Sequence, residues 1–139
     1  MVVDSSAIVA ILQREPDRER LHAALQTASS TLLSIGAPAV LECTMVLEAR
    51  RGPQITTELD LFISAWNIEV VPFDLAQLSI ARDAFRRYGR GSGSKARLNF
   101  GDCCTYALAK VRDESLLFVG EDFHHTDIVP VIQSSERRG

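Results

Sequence analysis

The sequence has little lysine, few cysteines and no long apolar run. No apolar stretch in its 139 residues approaches the roughly 18 that a membrane span needs, so no membrane association is predicted. Three cysteines are an odd number, and two of them are adjacent, which argues against a disulfide framework and for reduced thiols in a cytoplasmic protein. The first residues also lack the basic segment of a secretory signal. We therefore expect a soluble, cytoplasmic protein.

The chain also lacks an overall basic field, since its formal net charge is −3. A polyanionic partner such as RNA would have to be met by a local patch. One stretch rich in glycine and serine contains five basic residues and no acid, and we interpret it as a possible phosphate-contacting segment. The alternative is a solvated helix end followed by a flexible loop. The residues concerned are Arg86, Arg87, Arg90, Lys95 and Arg97.

Short apolar strands alternate with helical patterns along the whole chain, and we find no internal repeat. This alternation predicts a single α/β domain over residues 1–139, with a short, mainly parallel β-sheet flanked by α-helices. Pro130 would place the last strand at a sheet edge. A turn is expected at Ser29-Ser30, and residues 133–139 read as a frayed tail. Strands are expected at residues 2–4, 31–35, 68–72, 115–119 and 128–132.

The first six residues, Met-Val-Val-Asp-Ser-Ser, organise the rest of the chain. Val2 and Val3 predict a short buried strand that ends at Asp4, with Ser5 or Ser6 capping the next helix. A carboxylate at the carboxyl end of a strand lies where open α/β sheets bind their ligands. Asp4 could equally be a turn or capping residue, so the other acids have to decide between these roles.

Three further acids resemble Asp4 in lying beside buried segments. Glu42 lies among apolar neighbours early in a helix, Asp102 opens a helix, and Asp122 follows an apolar strand. Strand ends and helix starts share one rim of a parallel sheet, so these carboxylates would repel one another there. A hard divalent cation, Mg²⁺ or Mn²⁺, would relieve the repulsion and could activate water for attack on a phosphodiester. Taken singly, each acid could instead be a helix-dipole or turn residue.

At these positions the chain resembles a known family, the PIN-domain VapC toxins. The resemblance rests on four segments in the right order: the opening Val-Val-Asp-Ser-Ser, Val40-Leu41-Glu42, the turn at residues 99–103 (Asn-Phe-Gly-Asp-Cys), and residues 117–123 (Leu-Phe-Val-Gly-Glu-Asp-Phe). It spans essentially the whole chain. No single segment is decisive, but the ordered set is specific.

The resemblance implies a metal-dependent endoribonuclease that acts on RNA, forms a homodimer and is held inactive by a VapB-type antitoxin. It implies that Asp4, Glu42, Asp102 and Asp122 bind Mg²⁺ or Mn²⁺, with the Ser6 hydroxyl supporting the first of them. Many PIN domains carry an acid two residues before Asp122, where this chain has Gly120. Two nearby acids are therefore candidates for sharing the role of Asp122, namely Glu121 and Asp127.

Two other classes of function remain open from the residues. The first is a PIN-like module that no longer cuts and binds RNA or protein. The second is a phosphoacceptor signalling domain, which also holds Mg²⁺ at strand ends but usually needs a second acid beside the first-strand aspartate. Here the neighbours of Asp4 are Ser5 and Ser6, and neither Lys95 nor Lys110 ends a predicted strand.

Overall fold

Four short parallel strands form the centre of the molecule. The structure, a computed structural model, describes residues 1–28 and 31–134; the turn predicted at Ser29-Ser30 and the tail from residue 135 onward lie outside that range. The strand order is β3-β2-β1-β4, and each neighbouring pair is parallel, which confirms the predicted α/β class with a parallel sheet. The strands are β1 (Val2–Val3), β2 (Ser34–Gly36), β3 (Glu69–Val71) and β4 (Leu116–Leu117).

Helices cover both faces of this sheet, and their starts carry the expected signals. Pro38 lies in the first turn of α3, where its missing N–H costs nothing, and Asp74 accepts a 2.9 Å hydrogen bond from Gln77 N at the start of α5. The helices in the described ranges are α1 (Ser5–Leu12), α2 (Arg18–Thr27), α3 (Ala37–Arg51), α4 (Ile55–Ala65), α5 (Leu75–Tyr88) and α6 (Phe100–Arg112).

Alternate residues of β1 and β4 face two separate apolar clusters. Val3 and Leu117 pack into one cluster with α1 to α4, whereas Val2 and Leu116 pack into the other with α6. Successive side chains of a strand point to opposite faces, so both faces of the sheet are buried. The two clusters fix β1 and β4 side by side, and with them the segments that follow each strand.

The prediction of a last strand at residues 128–132 is wrong. Only an isolated bridge joins Pro130 to Leu116 beside β4. Proline has no N–H to donate, so a ladder cannot continue through it. Between β4 and this bridge lies a 3₁₀ helix over Asp122–His125, which the sequence pattern did not indicate. The start of the expected frayed tail is ordered, because Ser134 is buried and donates a 2.9 Å hydrogen bond to Glu121 Oε2.

The strand order places a crevice at the end of β1. The chain passes from β1 to β2 on one side, while β4 pairs with β1 on the other, so the order reverses between β1 and β4. In open α/β sheets ligands bind outside the carboxyl ends of the strands at such a reversal.

Within residues 1–28 and 31–134 no helix has the length and apolar character to cross a bilayer.

Candidate active site

Asp4 lies at this reversal and has two structural roles. It follows β1 and is itself the N-cap of α1, so the prediction that Ser5 or Ser6 caps this helix is wrong. Its Oδ2 accepts hydrogen bonds from Ser6 N at 3.1 Å and from Ser6 Oγ at 2.6 Å. Its Oδ1 is buried and finds no hydrogen-bond partner among the described residues. Since an unpaired buried oxygen is costly, Oδ1 is available to a ligand.

Ser6 joins the ends of the neighbouring strands β1 and β4. While its hydroxyl donates to Asp4, it also accepts a 3.0 Å hydrogen bond from the backbone N–H of Val119. Val119 lies two residues beyond β4, on the segment that leads to Asp122. The predicted supporting role of Ser6 therefore has a geometric basis, because one side chain orients Asp4 and anchors the segment after β4.

Asp102 lies in the first turn of α6 and forms a capping box with Asn99. Asp102 N donates to Asn99 Oδ1 at 2.9 Å, and Asn99 N donates to Asp102 Oδ2 at 3.1 Å. Burial raises the pKa of Asp102, the Asn99 hydrogen bond lowers it, and the negative charges of Asp4, Asp122 and Glu42 raise it, so that the pKa lies at about 6 instead of 3.8. The charges of the other three predicted acids therefore all act on Asp102, as expected for carboxylates that share one rim of the sheet.

Glu42 reaches the same region from α3. It is half-buried, and its Oε1 accepts a hydrogen bond from Ser5 Oγ in the first turn of α1. The neighbouring Cys43 thiol confirms the crowding, because burial and the charges of Asp4 and Glu42 raise its pKa to about 12. Three helices, α1, α3 and α6, thus bring the carboxylates of Asp4, Glu42 and Asp102, which are distant in the sequence, to the same side of the sheet.

The three acids considered for the fourth position separate in the structure. Asp122 is exposed at the start of the 3₁₀ helix, and its charge acts on Asp102. Glu121 accepts a hydrogen bond from Ser134. Asp127 accepts hydrogen bonds from Tyr106 Oη at 2.6 Å and from Lys110 Nζ at 3.0 Å. Burial alone would raise the pKa of Asp127, but these two hydrogen bonds lower it. Of these three acids, only Asp122 carries a charge that raises the pKa of Asp102.

The five basic residues of the predicted phosphate-contacting segment do not all face the same groove. Arg90 and Arg97 line an open groove of about 750 Å³ together with Asp122. Lys95 is exposed on the same loop. Arg87 is engaged elsewhere, since its guanidinium lies 4.8 Å from the Tyr88 ring centroid and 3.7 Å from the Asp83 carboxylate. Arg86 lines a separate, mostly apolar groove beside α5 and α6.

The cluster fits a divalent cation that keeps part of its water shell. All donors are carboxylate oxygens, which hard cations prefer, and Asp4 Oδ1 is free to bind one. In the parts of the chain that the structure describes, no three His, Cys, Asp or Glu side chains are arranged to hold an ion by themselves. Mg²⁺ is commonly held by one or two carboxylates and several waters, so it does not need such a closed cage.

Reasoning from the sequence missed two residues that contact these acids. Ser5 was considered only as a helix cap, and nothing in its position points to Glu42. Gly101 was read only as part of the turn before a helix, whereas it is the second residue of α6. Both residues touch Glu42, the acid whose placement is least evident from strand ends.

Comparisons with known proteins agree with this geometry. The PIN domain family model matches residues 1–129. Ribonuclease VapC30 of Mycobacterium tuberculosis is 45% identical over 131 residues, covering 94% of this chain and 98% of the relative. Ribonuclease VapC of Mycolicibacterium smegmatis is 44% identical over 131 residues, covering 94% and 99%.

Solved structures share the fold at much lower identity. The crystal structure of Mycobacterium tuberculosis VapC20, described as a sarcin-ricin loop cleaving toxin, gives a TM-score of 0.75 at 13% identity and covers 92% of this chain and 95% of its own. VapBC2 from Rickettsia felis, bound to a promoter DNA fragment, gives a TM-score of 0.72 at 13% identity and covers 93% and 95%. With the family model and relatives of about 45% identity, these matches lead to one conclusion: the chain belongs to the PIN-domain family and, within it, to the VapC ribonucleases.

Proposed function

We propose that this protein is the endoribonuclease toxin of a type II toxin–antitoxin system, and that it depends on Mg²⁺ or Mn²⁺. The observation that carries the proposal is the buried Asp4 Oδ1, which lacks a hydrogen-bond partner among the described residues and lies in the same acid cluster as Asp102. An inactive binding module would have no reason to keep a buried carboxylate oxygen unsatisfied beside three further negative charges.

The chain's own residues would divide the work as follows. Asp4 and Asp102 would hold the cation, and Glu42 and Asp122 would complete the negative field around it. When bound, the cation supplies the positive charge that activates water and stabilises the phosphodiester in the transition state. Ser6 would keep Asp4 Oδ2 occupied, so that Oδ1 faces the ligand. No side chain need form a covalent bond with the RNA.

The groove beside Asp122 supports an RNA substrate. Arg90 and Arg97 line it, and guanidinium groups bind phosphates well. The protein's net charge is −3, so this local patch would supply the attraction that the whole surface does not. Of the five basic residues predicted to bind RNA, Arg90, Lys95 and Arg97 are the ones we retain for direct phosphate contact. Arg86 and Arg87 would contribute only charge at the helix end.

We propose two protein partners, a VapB-type antitoxin and a second copy of this chain, for a toxin that acts in the cytoplasm. Family membership supports the antitoxin, since VapBC2 of Rickettsia felis is a toxin–antitoxin complex of the same fold. Self-association is supported by large apolar side chains on the surface, because monomeric proteins rarely expose them together. Phe100, Phe85 and Leu78 line one groove beside α5 and α6 and are 83%, 56% and 41% exposed. Light scattering of the purified chain, with and without the product of an adjacent antitoxin gene, tests both partners.

Cleavage of a fluorescent RNA reporter tests the activity. Asp4→Asn and Asp102→Asn should each lower the cleavage rate by about 10²–10³-fold, because each removes a charge on which the transition state depends. EDTA should abolish cleavage by the natural protein, and added Mg²⁺ or Mn²⁺ should restore it. Asp60→Asn on the exposed face of α4 is the matched control and should cut normally. Full activity of Asp4→Asn or Asp102→Asn, with an unchanged circular dichroism spectrum, would contradict the proposal.

A further inference from the structure

Gly101 occupies a position where the backbone does not call for glycine. It is the second residue of α6 and is not among the described glycines with positive φ, which are Gly52, Gly91, Gly93 and Gly120. Glycine inside a helix costs about 1 kcal/mol relative to alanine. The reason for glycine must therefore lie in what surrounds the missing side chain.

The Glu42 carboxylate fills the space that a side chain at residue 101 would occupy. A Cβ built on Gly101 would lie 2.9 Å from Glu42 Cδ and 2.9 Å from Oε1, and closer still to Oε2. Cβ atoms are essentially never found at such distances from other heavy atoms. Because the obstructing atoms are the far end of a flexible side chain, alanine at this position would displace the carboxylate rather than the helix.

A second contact acts on the same carboxylate. The Ser5 hydroxyl donates a hydrogen bond to Glu42 Oε1, and Ser5 is only 7% exposed. Ser5 belongs to α1 and directly follows Asp4, whereas Gly101 belongs to α6 and directly precedes Asp102. The Glu42 side chain from α3 thus lies between the two helices that carry the other acids. On the α1 side the Ser5 hydroxyl donates to its carboxylate, and on the α6 side Gly101 has no side chain to obstruct it.

We propose that Ser5 and Gly101 are positioning residues that hold the Glu42 carboxylate within the acid cluster. Ser5 fixes one oxygen through its hydroxyl, and Gly101 permits the close approach by having no side chain. Neither residue contributes a carboxylate to the cluster. The inference rests on the proposed function, in which this cluster binds a divalent cation and cleaves RNA. Partners that orient a metal-binding carboxylate typically contribute about 10–100-fold to metal affinity or activity.

The deciding experiment is a double-mutant cycle on the full chain with Gly101→Ala, Glu42→Ala and both changes together. Mn²⁺ affinity is read by electron paramagnetic resonance of the free ion, and cleavage is read as separate kcat and KM values. Gly101→Ala should weaken Mn²⁺ binding and lower kcat by about 10–100-fold, with KM for RNA unchanged. Its melting temperature should be equal or higher, because alanine favours the helix. In the Glu42→Ala background, Gly101→Ala should cause no further loss.

Ser5 and a control glycine complete the design. Ser5→Ala should reproduce the loss, and Ser5→Thr, which keeps the hydroxyl, should restore it; if threonine destabilises the fold, the cycle of Ser5→Ala with Glu42→Ala decides instead. Gly36→Ala should bind Mn²⁺ normally, since its Cβ would meet only ordinary contacts of 3.6 and 3.7 Å. Normal Mn²⁺ affinity and kcat in Gly101→Ala, or equal losses with and without Glu42, would overturn the inference.

The same variants separate this inference from the proposed function. If Asp4→Asn and Asp102→Asn still cleave RNA, the proposed function is wrong whatever Gly101→Ala does. If those two variants are inactive while Gly101→Ala retains normal Mn²⁺ affinity and rate, the function stands and only the positioning roles of Ser5 and Gly101 fail.

Discussion

Ser6 and Val119 are 113 positions apart in the sequence and are joined by a 3.0 Å hydrogen bond from the backbone N–H of Val119 to the Ser6 hydroxyl. The same hydroxyl donates to Asp4. One side chain therefore couples the end of β1, which carries the first acid, to the segment after β4, which carries the last.

Ser6→Ala should cost both stability and activity. The change leaves a partly buried N–H of Val119 without its acceptor, and such a loss costs about 1–3 kcal/mol. It also removes one of the two hydrogen bonds to Asp4 Oδ2 and leaves only the one from the backbone N–H of residue 6, so the cleavage rate should fall by about 10–100-fold. Urea unfolding and reporter cleavage measure the two effects. Ser6→Thr keeps the hydroxyl and should lie close to the natural protein; equal defects in both variants would show that the hydroxyl is not the reason.

The stability of the metal-free protein should fall as pH rises through the pKa of Asp102. This pKa is raised from 3.8 to about 6 by burial and by neighbouring charges, so the folded chain binds the proton more tightly than the unfolded chain. The contribution is fully present below pH 3.8 and is lost as pH rises through about 6. With allowance for partial exposure, it amounts to about 1–2 kcal/mol.

Urea unfolding in EDTA at about pH 5 and about pH 7.5 checks this expectation. Asp102→Asn should lose less stability than the natural protein over this interval and should be the more stable of the two at the higher pH. Because the two proteins differ only at residue 102, other pH-dependent contributions cancel in the comparison. The same pH dependence in both proteins would mean that Asp102 does not carry the effect.

Asp127→Asn should leave cleavage nearly intact, unlike Asp122→Asn. Asp127 accepts hydrogen bonds from Tyr106 and Lys110, and its charge is not among those that raise the pKa of Asp102. We expect a cleavage rate within about threefold of the natural protein and a stability loss of about 1 kcal/mol. A 100-fold loss of rate in Asp127→Asn would return Asp127 to the acid cluster.

The same variant carries a spectroscopic readout. Burial raises the pKa of Tyr106, and the hydrogen bond and charge of Asp127 raise it further. In Asp127→Asn the pKa of Tyr106 should therefore shift toward its ordinary value without reaching it, because burial remains. Absorbance titration of the phenolate, with Tyr106→Phe as the reference for Tyr88, measures this shift.

Replacing Arg90 and Arg97 with alanine should weaken RNA binding and flatten its salt dependence. Both guanidinium groups line the groove beside Asp122. For single strands the slope of log affinity against log salt changes by about 0.7 for each phosphate that the protein no longer neutralises, so the slope of the double variant should be smaller by up to about 1.4. Fluorescence anisotropy over a salt titration measures it in the Asp4→Asn background, where cleavage should be slower by about 10²–10³-fold. Arg18→Ala/Arg50→Ala removes the same charge from α2 and α3 and should leave the slope unchanged.

Periodic patterns predicted the helices well and the strands less well. The helical spacing of Ile55, Leu59 and Ile63 predicts a helix over residues 54–66, which is α4, Ile55–Ala65. Asp74 with Gln77 predicts the start of a helix that runs to about Tyr88, which is α5, Leu75–Tyr88. The strands are shorter than their apolar runs, because only residues with a ladder partner belong to the sheet; residues 31–35 yield Ser34–Gly36. The 3₁₀ helix has no periodicity to find, and Pro130 lacks the N–H that a real last strand needs.

For the site, strand ends and helix starts indicated Asp4, Asp102 and Asp122 as candidates, whereas Glu42 was selected from its apolar neighbours within a helix. For Asp4 the sequence presented a capping role and a ligand role as alternatives, whereas the structure is compatible with both, because Oδ2 caps α1 and Oδ1 has no hydrogen-bond partner among the described residues. The sequence pattern also did not distinguish Asp122 from Glu121 and Asp127. The distinction depends on Tyr106 and Ser134, which meet these acids only after the chain has folded.

The pairing of β4 with β1 has a consequence for when the protein can become harmful to its producer. Val2 and Val3 find their partners at Leu116 and Leu117, near the far end of the chain. A ribosome that has made only the first hundred residues has therefore released Asp4 and Glu42 but not the strand that completes their surroundings. The complete acid cluster can therefore form only when synthesis is nearly finished. An inhibitor that is made at the same time then has a brief interval in which to bind the finished protein.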